Sequence, residues 1–463
     1  MTPPAKLTLD QWDARYLELK RLGHPEPPYG GPLRRHAEQG DLRLRDLRFD
    51  DSAAALDLWN FLLTEEDRLA AARAAGVKLV GAMKDLGTVP VMAYSSPRLA
   101  AFYPDGAWWL PCFKMAQTPL LKIADRLGVD ESFCPVRAML GAFVTGAHFP
   151  LPDLLTCSVG ATCDDFSAIA QRLNGLGHPI LWWEIPHRRR PEEGEEAVAL
   201  PGGFAAPRPL LDFVRGELAR VAAALGDLAG KPLTNEQLAE GIHEANRIRR
   251  LLAKLRAISF TTPRAPLPAL ELLVAEMLAL HFCSDRAETR RVLAGLLDET
   301  RRRVAAGLGV LPADAVRVFW VNPVADLKAM NLLEACGGRV CGTDYLFTHA
   351  LDEIPEDRPP LEALARMALA DPMAGPAVDR AARIACDARA FGAEAVVIAR
   401  IPGASHCALE GAVIGEAVRQ QLDLPAAEIE IPPVSDALEA TIRSRLQALI
   451  ETARYRRSSG TSA

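Results

Sequence analysis

Two spacings of apolar residues alternate along the chain. Short unbroken runs suit buried strands, and stretches with apolar positions three or four apart suit helices. Thr8-Leu9-Asp10-Gln11 reads as a capping box that opens a helix through about Leu22, with Gly23 as its stop. An irregular arm containing Pro25, Pro27, Pro28, Gly30, Gly31 and Pro32 follows, and residues 51–75 then read as one helix ended by Gly76. Lys78–Met83 is the first strand of an α/β region, with a loop at Gly87-Thr88-Val89-Pro90. Residues 108–112 form an apolar strand or loop. Residues 118–127 and 136–143 are helical, and Pro135 at a first helical position puts Cys134 near an N-cap.

The stretch from 152 to 186 reads as strand, glycine loop, cysteine, helix, strand. Gly160 breaks the first apolar run, Cys163 precedes Asp164 and Asp165, and acidic residues suit a helix's first turn. Phe166, Ile169, Ala170 and Leu173 then recur at helical spacing, and Ile180–Ile185 is a strand closed by Pro186. The same order returns near the other end: strand 396–399, Gly403, Cys407, helix 409–422 and strand 428–431, closed by Pro432. The match suggests an internal repeat with one cysteine in corresponding loops. Residues 187–196 are a charged linker whose basic run is most simply a solvated loop. Helical patterns dominate residues 207–305, including 208–225, 235–258 and 269–282. Val316–Val321 restarts the α/β pattern, followed by helices near 326–335 and 378–391, a short strand near 339–341 and a final helix at 436–454.

The alternation predicts parallel sheets with crossover helices. The expected fold is two doubly wound, flavodoxin- or Rossmann-like α/β domains (residues 76–196 and 311–455). A helical segment (197–310) lies between them, a helical arm (1–75) precedes them, and a disordered tail (456–463) ends the chain. A chain of 463 residues is long enough for several domains. A net charge of -6 argues against nucleic acid as the main partner, since phosphate binding usually needs a basic stripe. The first residues lack the apolar core of a signal peptide, and no apolar run reaches the roughly 18–20 residues of a membrane span. The expectation is a cytoplasmic protein with no membrane partner.

In a reducing cytosol nine cysteines are not a disulfide framework. Taken singly, each is most simply a small core residue. Cys134, Cys163 and Cys407, however, all fall at predicted helix starts, where the partial positive charge of the terminus should lower a thiol's pKa. No CxxC is present, so a local zinc ribbon or ferredoxin motif is excluded, and any metal site must be assembled from distant segments. Thiolates select zinc, copper(I) or iron–sulfur. The Walker, dinucleotide-fingerprint, GxSxG and HExxH motifs are absent. His406, beside Cys407, is a candidate proton donor or a hydrogen-bonding support for its neighbour, and a loop histidine bonded to backbone is the plain alternative. Arg137 either meets an anionic group or sits on the surface.

Together the motifs resemble a known family. CPVR at 134–137, PDLL at 152–155, TCDD at 162–165 and the strand ending in Ile185-Pro186 are similar to the 2-hydroxyacyl-CoA dehydratase / benzoyl-CoA reductase family. So is the later order of Glu334-Ala335-Cys336-Gly337, AVVIAR, Cys407, a helix, Pro425 and a long final helix. The resemblance covers roughly residues 76–455. It implies a 4Fe-4S cluster held by Cys134, Cys163 and Cys407, with one iron open, in a cleft between two α/β domains. It further implies a separate ATP-hydrolysing iron–sulfur activator, an acyl-CoA substrate, and a homodimer or a heterodimer with a related subunit. Relatives with a double-cubane 8Fe-9S cluster use additional cysteines. The chain departs from the family at 342–351 (GTDYLFTHAL), where many members carry CTGxR, and at 435–445 (SDALEATIRSR), where GQxxTR is usual. Three readings follow: an iron–sulfur dehydratase or low-potential reductase component, a non-catalytic electron-transfer subunit, or a cluster-free α/β binding protein whose cysteines fill its core.

Overall fold

The apolar runs pair into two parallel sheets of the same design. The computed structural model describes residues 3–84, 87–105, 119–146, 148–278, 284–405 and 409–460. The first sheet contains β1 (Lys78–Met83), β2 (Leu99–Phe102), β3 (Leu154–Gly160) and β4 (Ile180–Ile185), in the spatial order β2-β1-β3-β4. The second contains β5 (Val316–Val321), β6 (Gly338–Asp344), β7 (Ala395–Arg400) and β8 (Ala426–Glu430), in the order β6-β5-β7-β8. All neighbours are parallel, and each sheet is doubly wound, with its order reversing beside the first strand.

The repeat extends to backbone detail. The residue after each first strand is left-handed without being glycine: Lys84 has φ +60° and Asn322 φ +73°. Each third strand ends at or just before a left-handed glycine, Gly160 (φ +96°) or Gly403 (φ +77°). In both sheets the loop at this end of the third strand leads to a cysteine, Cys163 or Cys407.

The arm contributes α1 (Leu9–Arg21), whose Thr8–Gln11 capping box forms as read, and two helices where one was expected, α2 (Ala53–Leu63) and α3 (Glu65–Ala74). The break falls at Thr64, whose hydroxyl donates to the Asn60 carbonyl at 2.8 Å and accepts from Arg68 at 2.6 Å. Buried ion pairs fasten the arm to the body: Arg43 to Asp326, Arg303 to Asp50 at 2.5 Å, and Lys6 to Glu334 at 2.8 Å.

Helices α4 (Asp164–Gly175), α5 (Arg208–Ala229), α6 (Asn235–Thr261), α7 (Ala269–Leu278) and α8 (Arg286–Ala305) come next in the chain. One apolar core runs without interruption from Leu79, Phe102 and Leu155 of the first sheet, through Leu252 and Phe260 of α6 and Leu270 of α7, to Val318 and Trp320 of the second. The two sheets therefore share a core, which fixes the relative position of their loops.

Two further expectations fail. Arg188, read as part of a solvated linker, is buried, donates to the Leu369 and Asp371 carbonyls at 2.6 and 3.1 Å, and lies over the Phe204 ring. The final helix, α9 (Glu439–Gly460), continues through residues 456–460, where disorder was expected. Arg456 reaches Asp423, and Arg457 reaches Glu394 and the Asp314 carbonyl, so this polar stretch is fastened to the body. No helix among the described residues is long and apolar enough to cross a membrane.

Candidate metal centre

The loops that carry the predicted cysteines converge on one carboxylate. Cys163 is the N-cap of α4, in extended conformation (φ −51°, ψ 124°), and this places Asp165 in the helix's first turn, buried. Asp165 Oδ1 accepts the backbone N–H of Cys134 at 3.3 Å. Its Oδ2 accepts the Ser405 N–H at 3.0 Å, the Ser405 hydroxyl at 3.0 Å and the Cys163 thiol at 3.5 Å. The Cys163 sulfur is also 3.6 Å from Ser405 Oγ. Cys134 caps a short 3-10 turn, Pro135–Arg137, which leads into helix Ala138–Thr145. A single side chain thus joins the Cys134 segment, the Cys163 segment and the loop two residues before Cys407.

Backbone packing reinforces this convergence. A Cβ on Gly403 would lie 2.4 Å from the Phe133 carbonyl oxygen and 2.8 Å from that of Glu131, so the loop after β7 rests directly on the chain before Cys134. Gly160 has a matching role at the end of β3, where a Cβ would meet the Ile185 oxygen at 2.4 Å. Arg137 is not at the surface. It is buried, donates to the Phe133 carbonyl at 3.1 Å and pairs with Asp125 at 3.6 Å, bracing the same segment.

His406 and Cys407 lie outside the described residues. Among those described, no three His, Cys, Asp or Glu side chains form a group able to hold a metal ion. The expected lowering of the thiol pKa by the helix terminus is overturned at Cys163, whose pKa is raised chiefly by burial and also by Asp165. Lys84, the Ser405 hydroxyl and the Phe166 N–H oppose the rise. Cys157 in β3 and Cys341 in β6 are buried, and burial pushes both thiols to about 12, as befits core residues. Cys336 donates to the Arg443 carbonyl at 3.8 Å, and Cys386 is exposed.

Sequence reasoning missed two residues here. Asp165 was read as a helix-dipole residue and as part of TCDD, and neither reading shows that its bonds reach 240 positions along the chain. Lys84 was not singled out. It follows β1 directly, is buried, and its Nζ has no hydrogen-bond partner among the described residues. Burial pulls its pKa down, while negative charge on Cys163 and Asp371 favours its ammonium form. The only signal was a lysine directly after an apolar strand. A buried ammonium without a hydrogen-bond partner among the described residues, at the carboxyl end of a parallel sheet, suits an anionic group. Thiolates are the ligand type that zinc, copper(I) and iron–sulfur centres share.

No curated protein matches the chain. The family model described as 2-hydroxyglutaryl-CoA dehydratase, D-component, matches residues 100–453. That span is more than half of the chain and contains both sheets' third strands and all three cysteine segments, so the protein belongs to the 2-hydroxyglutaryl-CoA dehydratase D-component family.

Proposed function

We propose that this chain is the iron–sulfur component of a 2-hydroxyacyl-CoA dehydratase, with Cys134, Cys163 and Cys407 as thiolate ligands of one 4Fe-4S cluster. The observation that carries this reading is the set of four hydrogen bonds at Asp165, which ties the three cysteine-bearing segments together. When bound, the cluster supplies a low-potential electron to the thioester. The chain's own residues prepare its place. Cys163 gives up its proton on loading, and Asp165 and Ser405 fix the direction of its sulfur. Gly160 and Gly403 allow the close loop contacts. His406, adjacent to Cys407, is the proton donor in this reading.

Among the described residues, the positions of Cys336, Cys341 and Cys386 support a single cubane over a double one. Cys336 precedes β6 and bonds the Arg443 carbonyl, Cys341 is buried in the middle of β6, and Cys386 is exposed. The absence of a Walker motif supports an external ATP-hydrolysing iron–sulfur activator as electron donor. A second copy or a related subunit completes the enzyme, in the cytoplasm.

The test is an anaerobic assay of the chain, with any co-purifying subunit, plus activator, ATP, magnesium, reductant and a 2-hydroxyacyl-CoA. The expected result is conversion to the 2-enoyl-CoA and water only when both activator and ATP are present. His406→Asn should lower turnover at least tenfold with iron content unchanged. Thioester reduction without dehydration would move the chain to the benzoyl-CoA reductase type. A requirement for a second subunit with its own substrate site would make this chain an electron-transfer partner. Dehydration independent of activator and ATP would contradict the proposal.

A further inference from the structure

We infer that Glu271 is a proton-gated latch for the N-terminal arm: it holds the arm to the body as a neutral carboxylic acid, and loss of its proton as pH rises loosens the arm. The inference is independent of the cluster reading, since none of its groups belongs to the cysteine segments.

Glu271 lies in the first turn of α7 and is fully buried. The arm meets it with a short ribbon, Lys6–Leu7 paired antiparallel with Phe49–Asp50, and with α2. Glu271 Oε1 accepts the Asp50 backbone N–H at 3.0 Å and the Trp59 indole N–H at 3.0 Å. Both donors belong to the arm, and both are neutral. Glu271 Oε2 is buried and has no hydrogen-bond partner among the described residues.

Asp50, Glu271 and Glu334 meet in this seam, and the cations facing it hold the other two. Asp50 accepts from Arg303 of α8 at 2.5 and 2.9 Å, and the same guanidinium reaches Asp51 at 3.2 Å and Glu299 at 2.6 Å. Glu334, on the helix Lys328–Ala335, pairs with Lys6 at 2.8 Å and accepts the Ala269 N–H at 2.7 Å. Asn331 of that helix is bonded to the Arg48 backbone. Asp57 of α2 turns to Arg291, Arg15 of α1 donates to the Asp51 carbonyl, and Arg256 of α6 pairs with Glu276 farther along α7. Among the described residues, Glu271 is the member of the trio that no cation hydrogen-bonds.

An ionised carboxylate at this place would stand away from water beside two others that already carry charge. A buried acid in such surroundings gives up its charge. Neutral Glu271 keeps Oε1 as the acceptor for both arm donors and leaves one O–H unbonded, which is a smaller penalty than an unpaired buried charge. Burial, with the charges of Asp50 and Glu334 adding to it, pushes its pKa up to about 8, while the Trp59 and Asp50 N–H groups hold the rise back. Once the arm is loose and water reaches the side chain, the ordinary carboxylate pKa returns. The docked state therefore binds the extra proton. By linkage, this contribution to docking is greatest below the ordinary carboxylate range, is lost as pH rises through the raised value, and stays flat above it. The proton passes to solvent.

Thermolysin cleavage of the arm in the full chain reads the loosened population when reclosing is fast. Rates, normalised to an unstructured peptide, would be compared at about pH 6 and about pH 9 for wild type, Glu271→Gln and Glu271→Met, with infrared difference spectra over the same range. The wild-type rate should rise about tenfold or more, and that of Glu271→Gln, whose amide oxygen keeps both arm bonds and whose charge does not change, less than about threefold. The infrared band of protonated carboxyl groups that disappears on raising the pH should be smaller in Glu271→Gln by one group per chain. A flat wild-type rate overturns the inference, as does an equal rise in wild type and Glu271→Gln. An equal band in the two proteins places the titrating proton elsewhere and overturns it too. Slow cleavage of either neutral variant at both pH values supports the latch. Rapid cleavage of both at about pH 6 overturns it, because a neutral side chain would then be unable to hold the arm.

Discussion

Asp165→Ala should leave the chain with less than a fifth of its iron and lower its stability by about 2–5 kcal/mol. The carboxylate accepts from two backbone N–H groups, one hydroxyl and one thiol, on three segments far apart in sequence. Truncation leaves buried donors unpaired, which costs about 1–3 kcal/mol for each such group, with strong non-additivity inside one network. The larger consequence concerns the site. Without the shared acceptor, the hydrogen bonds that tie Cys163's helix to the Cys134 and Ser405 backbones are lost, and the 3.6 Å contact between the Cys163 sulfur and Ser405 Oγ remains. Asp165→Asn is the informative companion. Its amide oxygen serves one side of the network, but its NH₂ then faces a donor on the other, so it should fall between wild type and alanine. Ser405→Ala removes only the hydroxyl and should cost about 1 kcal/mol. Denaturant midpoints and iron assays on these three variants separate the effects.

The second large effect is expected at Gly403. Gly403→Ala places a methyl group 2.4 Å from the Phe133 carbonyl oxygen, a contact with backbone that no rotamer relieves. Left-handed strain adds to overpacking, for a combined loss of roughly 2–5 kcal/mol. Gly203 is the control. Its φ of +79° nearly equals the +77° of Gly403, yet a Cβ there meets nothing within 4 Å. Gly203→Ala should therefore cost only the backbone term, about 1 kcal/mol. Iron content should fall in Gly403→Ala and stay at the wild-type level in Gly203→Ala. Equal behaviour of the two would mean that the contact between the Cys407 and Cys134 segments contributes nothing to the site.

What was legible in the sequence was local. Lys78–Met83, Ile180–Ile185 and Val316–Val321 are strands over the residues read, because each is an apolar run bounded by turn residues. The Thr8 capping box and the paired strand–glycine–cysteine–helix order also appeared in the chain, since both depend on neighbours a few positions apart. What was not legible depends on partners far away. Asp165 looks like any acidic residue of a first turn until Cys134 and Ser405 are brought to it. Arg188 reads as solvated because its acceptors, the Leu369 and Asp371 carbonyls, lie 181 and 183 residues on. The rise at Cys163 was not legible because burial is a tertiary quantity.

The central claim is that thiolates from three distant loops hold one inorganic core. Analysis of iron and acid-labile sulfide per chain, after anaerobic expression with iron and anaerobic purification, tests it most directly. The account predicts a brown protein with about four irons and about four sulfides per chain, and near-complete loss of both in Cys134→Ala, Cys163→Ala and Cys407→Ala. A colourless, iron-free wild-type chain, or three alanine variants that keep their full iron, would contradict it.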